Sequence, residues 1–309
     1  MSRVYEALQK SQGENPSASP LVSGQPEAAP SEATAVAVAA GVPIGTPAEA
    51  NWLNVPADRI LHPTPTPEQR LVALAEPNSA GAEMFRVLST RLAHMQNKRR
   101  LQKLLITSSV GDEGKSVVAV NLALTLARRP NTRVLLIEAD LRRPSASQLL
   151  TTSSLRGITD WNAGKLSLED SLYQIKDLPL WLLSAGHGMA EPLPLLESDR
   201  FAQMLETISS SFDWVLLDAT PILPMADSTS LARLCDGVLV VVREGHTHRR
   251  VLNKALESIE RGKLLGMVFN EASMLNVGYE NYYGGNNSSG KSKKQLKKEA
   301  DDKVPAASA

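Results

Sequence analysis

The 309-residue sequence predicts an α/β fold built on a doubly wound, mostly parallel sheet. Three observations lead to this prediction. Between residues 76 and 275, apolar segments of strand length alternate with segments of helical length, which is typical of a parallel sheet covered by helices on both faces. A Gly-Lys-Ser motif lies between a predicted strand and a predicted helix. Two further predicted strands end in carboxylates, where open α/β sheets bind ligands.

The flanks of this region have a different composition. Residues 1–11 have the apolar spacing of a short amphipathic helix, which is either a frayed end or a docking segment that folds on a partner. Residues 12–75 are rich in Pro, Ala and Ser, and they predict a disordered linker because they have few large apolar side chains to bury. Residues 276–309, which contain Tyr, Gly and Lys, predict a disordered tail. Residues 76–275 form the predicted P-loop domain.

Within this domain, apolar runs bounded by polar residues predict the strands, and helices fill the gaps between them. Strands are predicted at residues 101–108, 133–137, 181–184, 214–217, 237–242 and 265–269. Helices are predicted at residues 82–96, 117–127, 167–175, 199–209, 226–234 and 249–261. Residues 117–127 are apolar nearly all round, which predicts a helix buried on every side.

Composition excludes several classes of function. The formal net charge is zero, so no global field predicts a nucleic-acid partner. A single cysteine, Cys235, excludes an internal disulfide and a cysteine-based zinc cluster, and its apolar surroundings predict a core residue. No apolar stretch approaches the roughly 18–20 residues of a membrane span, and residues 1–11 lack a secretory signal pattern. The expected location is the cytoplasm.

Residues 108–116, SSVGDEGKS, have the character of a phosphate-binding loop. Backbone N–H groups of such a loop and of the following helix point at phosphates. Gly114 would let the backbone approach, Lys115 would bridge the β- and γ-phosphates, and Ser116 would be a Mg²⁺ ligand. The strict pattern has glycine at position 109, where this chain has serine, so a chance Gly-Lys-Ser at a helix start is the alternative. The predicted ATP contacts are Val110, Gly111, Asp112, Glu113, Gly114, Lys115, Ser116 and Val117.

Carboxylates end two of the predicted strands. The sequence VLLIEAD at residues 134–140 ends with Glu138 and Asp140, and FDWVLLD at residues 212–218 ends with Asp218. In order and spacing after a phosphate loop, Asp218 is expected to hold Mg²⁺ through water. The alternative for each carboxylate is a simple cap of a strand end.

With these motifs in order, the chain resembles the bacterial tyrosine kinases, the P-loop autokinases that accompany capsule and exopolysaccharide export, within the MinD-like superfamily. The resemblance covers nearly all of residues 78–275 and rests on residues 112–116, 135–144 and 212–221. Weaker matches lie at residues 83–86, 184–186, 236–243 and 264–270. The opening sequence MSRVYEAL is similar to cytoplasmic members that pair with a separate membrane adaptor.

The resemblance implies an ATP-dependent protein-tyrosine autokinase. Its catalytic residues would be Lys115, Glu138, Asp140 and Asp218, and its Mg²⁺ ligands would be Ser116, Asp140 and Asp218. Glu138 would polarise or deprotonate the attacking tyrosine hydroxyl, and Asn270 would face the adenine.

The resemblance also implies phosphorylation of a C-terminal tyrosine cluster between subunits of a homo-oligomeric ring. Three of the five tyrosines, Tyr279, Tyr282 and Tyr283, lie within five residues. The implied partner is a membrane adaptor of the polysaccharide co-polymerase type, which would recruit the chain to the inner face of the plasma membrane. An unmodified tail is the alternative.

Three departures from the family pattern bear on function. Glu138 stands where the family usually has aspartate, and Gly111-Asp112 replaces the usual Pro-Gly. The family's E-x-x-R-x-x-R assembly motif reads Glu83, Arg86 and Ser89 here, without its last arginine. A pseudokinase that binds nucleotide without transfer is therefore one alternative. A MinD/ParA-like ATPase switch is another, although Val110 stands where that class has a signature lysine.

Overall fold

A computed structural model describes residues 53–223 and 225–271. These residues contain one eight-stranded sheet with the strand order β1-β4-β5-β3-β6-β2-β7-β8. Every neighbouring pair is parallel except β4 and β5, which are antiparallel. The strands are β1 (Ile60–Leu61), β2 (Lys103–Ser108), β3 (Val134–Glu138), β4 (Leu172–Ile175), β5 (Leu180–Leu183), β6 (Trp214–Asp218), β7 (Gly237–Arg243) and β8 (Leu264–Asn270). The prediction of a mostly parallel α/β sheet is confirmed.

Helices cover both faces of this sheet. They are α1 (Val72–Ala75), α2 (Ala80–Gln96), α3 (Lys115–Leu126), α4 (Ala146–Leu150), α5 (Ile158–Asn162), α6 (Leu193–Leu196), α7 (Asp199–Ser209), α8 (Asp227–Leu234) and α9 (Arg249–Glu257). Strand side chains alternate between two buried clusters, so Leu104 and Ile106 of β2 pack on the α1–α3 side and Leu105 packs on the α7–α9 side. This two-sided burial explains why the strand sequences are apolar throughout.

Helix α3 is the most buried helix, as its sequence predicts. All of its residues from Val118 to Leu126 are buried, including Asn121. Helix α2 begins where Ser79 caps it, because the serine hydroxyl accepts a hydrogen bond from the Ala82 N–H. Cys235 lies in the core, as predicted, and burial raises the pKa of its thiol to about 12. No helix in the described ranges is both long and apolar enough to span a membrane.

One predicted helix is wrong. Residues 167–175 were expected to be helical, but they form a 3₁₀ turn at Glu169–Ser171 followed by β4. Strand β4 pairs antiparallel with β5 across a short turn in which Asp177 has a φ of 60°. Periodicity cannot separate a four-residue strand from one helical turn, so the pairing with β5 decides the outcome. The short elements β1, α4, α5 and α6 were also missed.

The segment at residues 57–75 also departs from the expected linker. It contains β1 and α1, and it buries Leu61 and Leu71 on the α1–α3 side of the core. The Asn121 side chain holds the backbone of this segment. Its Nδ2 atom donates to the Arg70 carbonyl oxygen and its Oδ1 atom accepts from the Ala73 N–H, each at 3.0 Å. A few deeply buried leucines and a buried polar anchor therefore order a segment of weak apolar content. The predicted helix at residues 1–11, most of the linker and the tail at 276–309 lie outside the described residues.

Candidate active site

The phosphate loop and the strand-end carboxylates meet at one edge of the sheet. Strand β6 lies between β2 and β3, and Asp218 stands opposite Glu138 on one side and Ile106 on the other. The N–H groups of Ala139 and Asp140 both donate to the Asp218 carbonyl oxygen, at 2.8 and 2.9 Å. Because parallel strands end at the same edge, residues far apart in sequence come together here.

The backbone of the phosphate loop depends on Gly114. This residue has a φ of +85°, in the left-handed region that favours glycine. A Cβ atom placed on it would lie 2.1 Å from the Asn270 Nδ2 atom. At Gly111, in contrast, a Cβ would meet nothing within 4 Å. The loop therefore requires glycine at 114 and tolerates a side chain at 111.

Side chains from β7, β8 and the loop between β7 and α9 brace the phosphate loop. The buried Glu113 carboxylate accepts hydrogen bonds from the Val110 N–H, at 2.9 Å, and from the Thr247 hydroxyl. Asn270 donates from Nδ2 to the Glu113 carbonyl oxygen at 3.0 Å. Asn270 was predicted to face the adenine, and here its amide holds the loop backbone. The contribution of Thr247 was missed, since no sequence signal links it to a residue 134 positions away.

Lys115 begins α3 and faces a group of carboxylates. Its Nζ atom lies 2.9 Å from the Asp140 Oδ2 atom and 3.4 Å from the Ser116 hydroxyl oxygen. Burial alone would lower the pKa of the ammonium, but Asp218 and Asp140 together raise it above its ordinary value. Lys115 is therefore held charged in a mostly buried site, where an incoming anion would compete with Asp140 for it.

Asp218 is fully buried, and neither of its side-chain oxygens has a hydrogen-bond partner among the described residues. Burial raises the pKa of this carboxyl to about 6, against the opposing effects of the Lys115 ammonium and of the nearby Ser116 hydroxyl, which lies outside hydrogen-bond geometry. A buried, ionised carboxylate without hydrogen-bond partners destabilises the folded state unless a cation or a bound water compensates it. This orphaned group fits a metal-ion site.

The side chains near Asp218 that could be metal ligands are few, and all of them offer oxygen atoms. The Ser116 hydroxyl lies 2.7 Å from the Ser145 hydroxyl. The Asp140 Oδ1 atom accepts a hydrogen bond from the Arg143 N–H at 3.0 Å. In the described part of the chain, no three or more His, Cys, Asp or Glu side chains lie close enough together to hold a metal ion by themselves. One hydroxyl and one or two carboxylates suit Mg²⁺, which keeps several waters and phosphate oxygens in its shell.

Glu138 is enclosed by hydrogen-bond donors. Its Oε1 atom accepts from the N–H and the hydroxyl of Ser147, at 3.0 and 3.1 Å. Its Oε2 atom accepts from the Ser184 hydroxyl and the Ala185 N–H, at 3.2 and 3.1 Å. The carboxylate thus ties the end of β3 to α4 and to the chain after β5. Sequence reasoning gave Glu138 a chemical role and missed this structural one.

A cavity of about 560 Å³ opens beside Glu138. Two of its lining residues, Ser147 and Ser184, are donors to the Glu138 carboxylate. Its other walls are largely small or polar, and they include Pro144, Gly186 and Gly188. The strand-end carboxylates thus contact the phosphate loop through Lys115 and border an open polar cavity through Ser147 and Ser184.

Comparison with known proteins gives consistent similarities. The family described as an AAA domain matches residues 102–263. The chain is 30% identical over 219 residues to the tyrosine-protein kinase YwqD of Bacillus subtilis (strain 168), covering 70% of this chain and 92% of YwqD. It is 32% identical to the succinoglycan biosynthesis transport protein ExoP of Rhizobium meliloti (strain 1021), covering 69% of this chain but 28% of ExoP. The kinase domain of the Escherichia coli tyrosine kinase ETK superposes with a TM-score of 0.61 at 28% identity, covering 65% of this chain and 79% of that domain.

Proposed function

The chain belongs to the bacterial tyrosine kinases, and we propose that it transfers the γ-phosphoryl group of ATP to tyrosine side chains. The first acceptors are Tyr279, Tyr282 and Tyr283 of its own chain. The observation that carries the proposal is the buried, unpartnered carboxylate of Asp218 in the electrostatic field of Lys115. In a metal-bound triphosphate, the metal ion would compensate the Asp218 carboxylate and the phosphates would compensate the Lys115 ammonium. The relatives named as tyrosine kinases support the same chemistry.

On the nucleotide side, each residue has a separate task. Lys115 leaves Asp140 and turns to the β- and γ-phosphates, where its charge opposes the negative charge that develops during transfer. Ser116 and Asp218 would hold Mg²⁺, which would supply positive charge against the phosphate oxygens. The N–H groups at the start of α3 point at the phosphates. Thr247 and Asn270 keep the loop in shape while these groups bind.

On the acceptor side, two carboxylates are available to take the tyrosine proton. The family resemblance assigns this role to Glu138, and that assignment stays a prediction. Each of the two Glu138 carboxylate oxygens already accepts two hydrogen bonds. A tyrosine hydroxyl would therefore have to share the oxygen with these donors or displace one of them. Asp140 is the second candidate, because its Oδ2 atom becomes free when Lys115 turns to the phosphates. The open cavity beside Glu138 gives an acceptor side chain room to approach.

The enclosed Glu138 carboxylate also favours a second candidate function. A chain whose Glu138 cannot reach the acceptor, and whose Asp140 does not replace it, would bind ATP and Mg²⁺ without phosphoryl transfer. Such a pseudokinase would signal through nucleotide occupancy. The absence of a lysine at Val110 argues against the third possibility, a MinD/ParA-like switch.

The two candidates differ in one measurement. We expect the purified full chain to gain phosphotyrosine on incubation with ATP and Mg²⁺, detected by blotting and located by mass spectrometry. Lys115→Ala should abolish the signal. If the wild-type chain stays blank in the presence of the adaptor's cytoplasmic segment but still binds ADP in calorimetry, the pseudokinase is correct and the kinase proposal fails.

The acceptor assignment is tested separately. We expect Tyr279, Tyr282 and Tyr283, replaced together by phenylalanine, to remove most of the phosphotyrosine. Tyr5→Phe is the matched control, since it removes a tyrosine at the other end of the chain, and it should leave the signal unchanged. Full phosphorylation of the triple variant would contradict the assignment.

We further propose that the kinase acts in exopolysaccharide or capsule synthesis and export, as a cytoplasmic protein recruited to the membrane by an adaptor. The similarity to ExoP, a protein named for succinoglycan transport, supports this role. Ring assembly would use the face of α2 that carries Glu83 and Arg86, which form an ion pair at 2.5 Å. Light scattering of the full chain with and without the adaptor segment tests assembly. A monomer under both conditions would contradict it.

A further inference from the structure

A second concave surface lies at the opposite end of α3 from the phosphate loop. This cavity, of about 360 Å³, is bounded by α2, by Ala73 of α1 and by the chain that leaves α3 at Arg128–Pro130. Thr125, the residue of α3 that lines it, lies ten positions after Lys115, about 15 Å along the helix. It is therefore separate from the nucleotide site and from the cavity beside Glu138. Arg86 places it on the α2 face proposed for the ring contact, so a ligand bound here and a neighbouring subunit would compete.

Three arginines line this cavity: Arg86 from α2, and Arg128 and Arg129 from the chain just after α3. Arg86 is compensated by Glu83 at 2.5 Å. Within residues 53–223 and 225–271, neither Arg128 nor Arg129 forms an ion pair. The Arg128 side chain is exposed, and its partial desolvation, followed by repulsion from Arg86, lowers the pKa of its guanidinium. The cavity thus holds about two uncompensated positive charges in one place.

The remaining walls of the cavity restrict what kind of anion fits. Ala82, Pro77 and Pro130 give it apolar surface. The lining hydroxyls of Ser89 and Thr90 both donate to the Arg86 carbonyl oxygen, at 2.8 and 2.9 Å, so their protons are already used. The guanidinium groups are therefore the donors left for a ligand. An apolar group that carries a doubly charged oxyanion matches these walls better than a bare ion or a sugar does.

From this combination we infer that the arginine cavity binds an aryl phosphate monoester, the phosphotyrosine side chain. A phosphoryl group carries a charge of about −1.5 to −2 at neutral pH and presents three acceptor oxygens, which matches the uncompensated charge. Arginine forks bind phosphate oxygens in pairs, and the apolar walls would pack on the ring. The biological source of the ligand rests on the proposed kinase function, but the binding itself does not.

A simpler explanation of Arg128 must be separated from this one. Its Nη1 atom donates to the Leu124 carbonyl oxygen at 3.1 Å, and a cation at the C-terminal end of a helix is favourable in itself. If capping is its whole role, the cavity has no affinity for phosphate esters. Among the described contacts the Arg129 guanidinium donates to no carbonyl of α3, so Arg129 is the better residue to test.

The test is calorimetric titration of the full-length Lys115→Ala chain with phenyl phosphate and with inorganic phosphate. This background removes the lysine of the competing phosphate loop and, under the proposed function, any phosphotyrosine that the chain makes itself. We expect saturable binding of phenyl phosphate that is several-fold tighter than that of inorganic phosphate. Arg129→Gln should weaken it about tenfold or more, the loss expected for one charge-assisted interaction.

Matched variants guard against loss of folding. Thr90→Glu places a carboxylate among the arginines and should abolish binding, whereas Thr90→Gln, of similar size but neutral, should retain it. Arg261→Gln, on an exposed arginine elsewhere, should leave affinity unchanged. Melting temperatures identify any variant that fails to fold.

Two results would overturn the inference. One is the absence of saturable phenyl phosphate binding in the folded Lys115→Ala chain, or binding that Arg129→Gln and Thr90→Glu leave intact. The other is equal affinity for phenyl phosphate and inorganic phosphate, since the apolar walls would then contribute nothing. Because both probes are supplied from outside, failure of the kinase assay alone leaves this inference standing.

Discussion

Replacing Asp218 by asparagine should stabilise the nucleotide-free protein, although it should abolish metal-dependent activity. The carboxylate is fully buried and its oxygens have no partner among the described residues. Burial raises its pKa to about 6 from an ordinary value of 3.8. At about 1.4 kcal/mol per pKa unit, this difference corresponds to a cost of about 3 kcal/mol for the ionised form.

The sign of the pH dependence follows from the direction of the shift. The folded state holds this proton more tightly than the unfolded state does. The stability due to Asp218 is therefore full below about pH 4 and is lost as the pH rises through 6. At pH 7.5 the charged carboxylate imposes the whole cost, so Asp218→Asn should increase the free energy of unfolding by about 1–3 kcal/mol, the lower end allowing for the amide's own unmet hydrogen bonds.

Urea denaturation of nucleotide-free protein at pH 7.5 and pH 5 measures this effect. The gain should be large at pH 7.5 and should shrink at pH 5, and Asp58→Asn, at an exposed carboxylate, should show neither. Saturating ADP and Mg²⁺ should stabilise the wild-type chain far more than the variant. We predict that a buried, ionised Asp218 without hydrogen-bond partners destabilises the nucleotide-free protein. An asparagine variant that is less stable at pH 7.5, or a gain in stability that does not change with pH, would refute this prediction.

Three further substitutions test the remaining contacts of the site. Gly114→Ala should abolish ADP binding in calorimetry, because the added methyl group meets an asparagine amide at 2.1 Å at a φ of +85°, whereas Gly111→Ala, in open space, should bind normally; equal effects of the two would contradict the loop geometry. Thr247→Val removes a donor to the buried Glu113 carboxylate and should weaken ADP binding about tenfold, a loss typical of one hydrogen bond to a charged group, with an unchanged circular dichroism spectrum; unchanged affinity would remove Thr247 from the site. Glu138→Gln turns an amide toward two donors and should lower the free energy of unfolding by about 2–3 kcal/mol in urea; a neutral effect would mean that the four hydrogen bonds are not formed in solution.

The sequence was sufficient for features determined by neighbouring residues. Helix α3 is apolar on all sides because it is buried on all sides, and the Gly-Lys-Ser at its start follows a buried strand. Glu138 and Asp218 end strands that turned out to be adjacent. Order along the chain and the type of residue were enough to place these groups at one edge of the sheet.

Features determined by distant partners could not be predicted in the same way. Strand β4 exists because β5 pairs with it, and its sequence alone suits a helix equally well. The order in residues 57–75 depends on Asn121, some fifty positions away. The same holds for Thr247 and Glu113, and for the donors around Glu138: each partner is ordinary in isolation, and only the fold brings them together.

The four donors around Glu138 also restrict which side chain this position can accept. Replacement of Glu138 by aspartate would withdraw the carboxylate by about 1.5 Å, one carbon–carbon bond. Hydrogen bonds of 3.0–3.2 Å would then be too long to form. Ser147 and Ser184 would both have to move toward the shorter side chain to restore these contacts. A substitution at this position therefore changes the packing of β3, α4 and the chain after β5 together with any chemical role of the carboxylate.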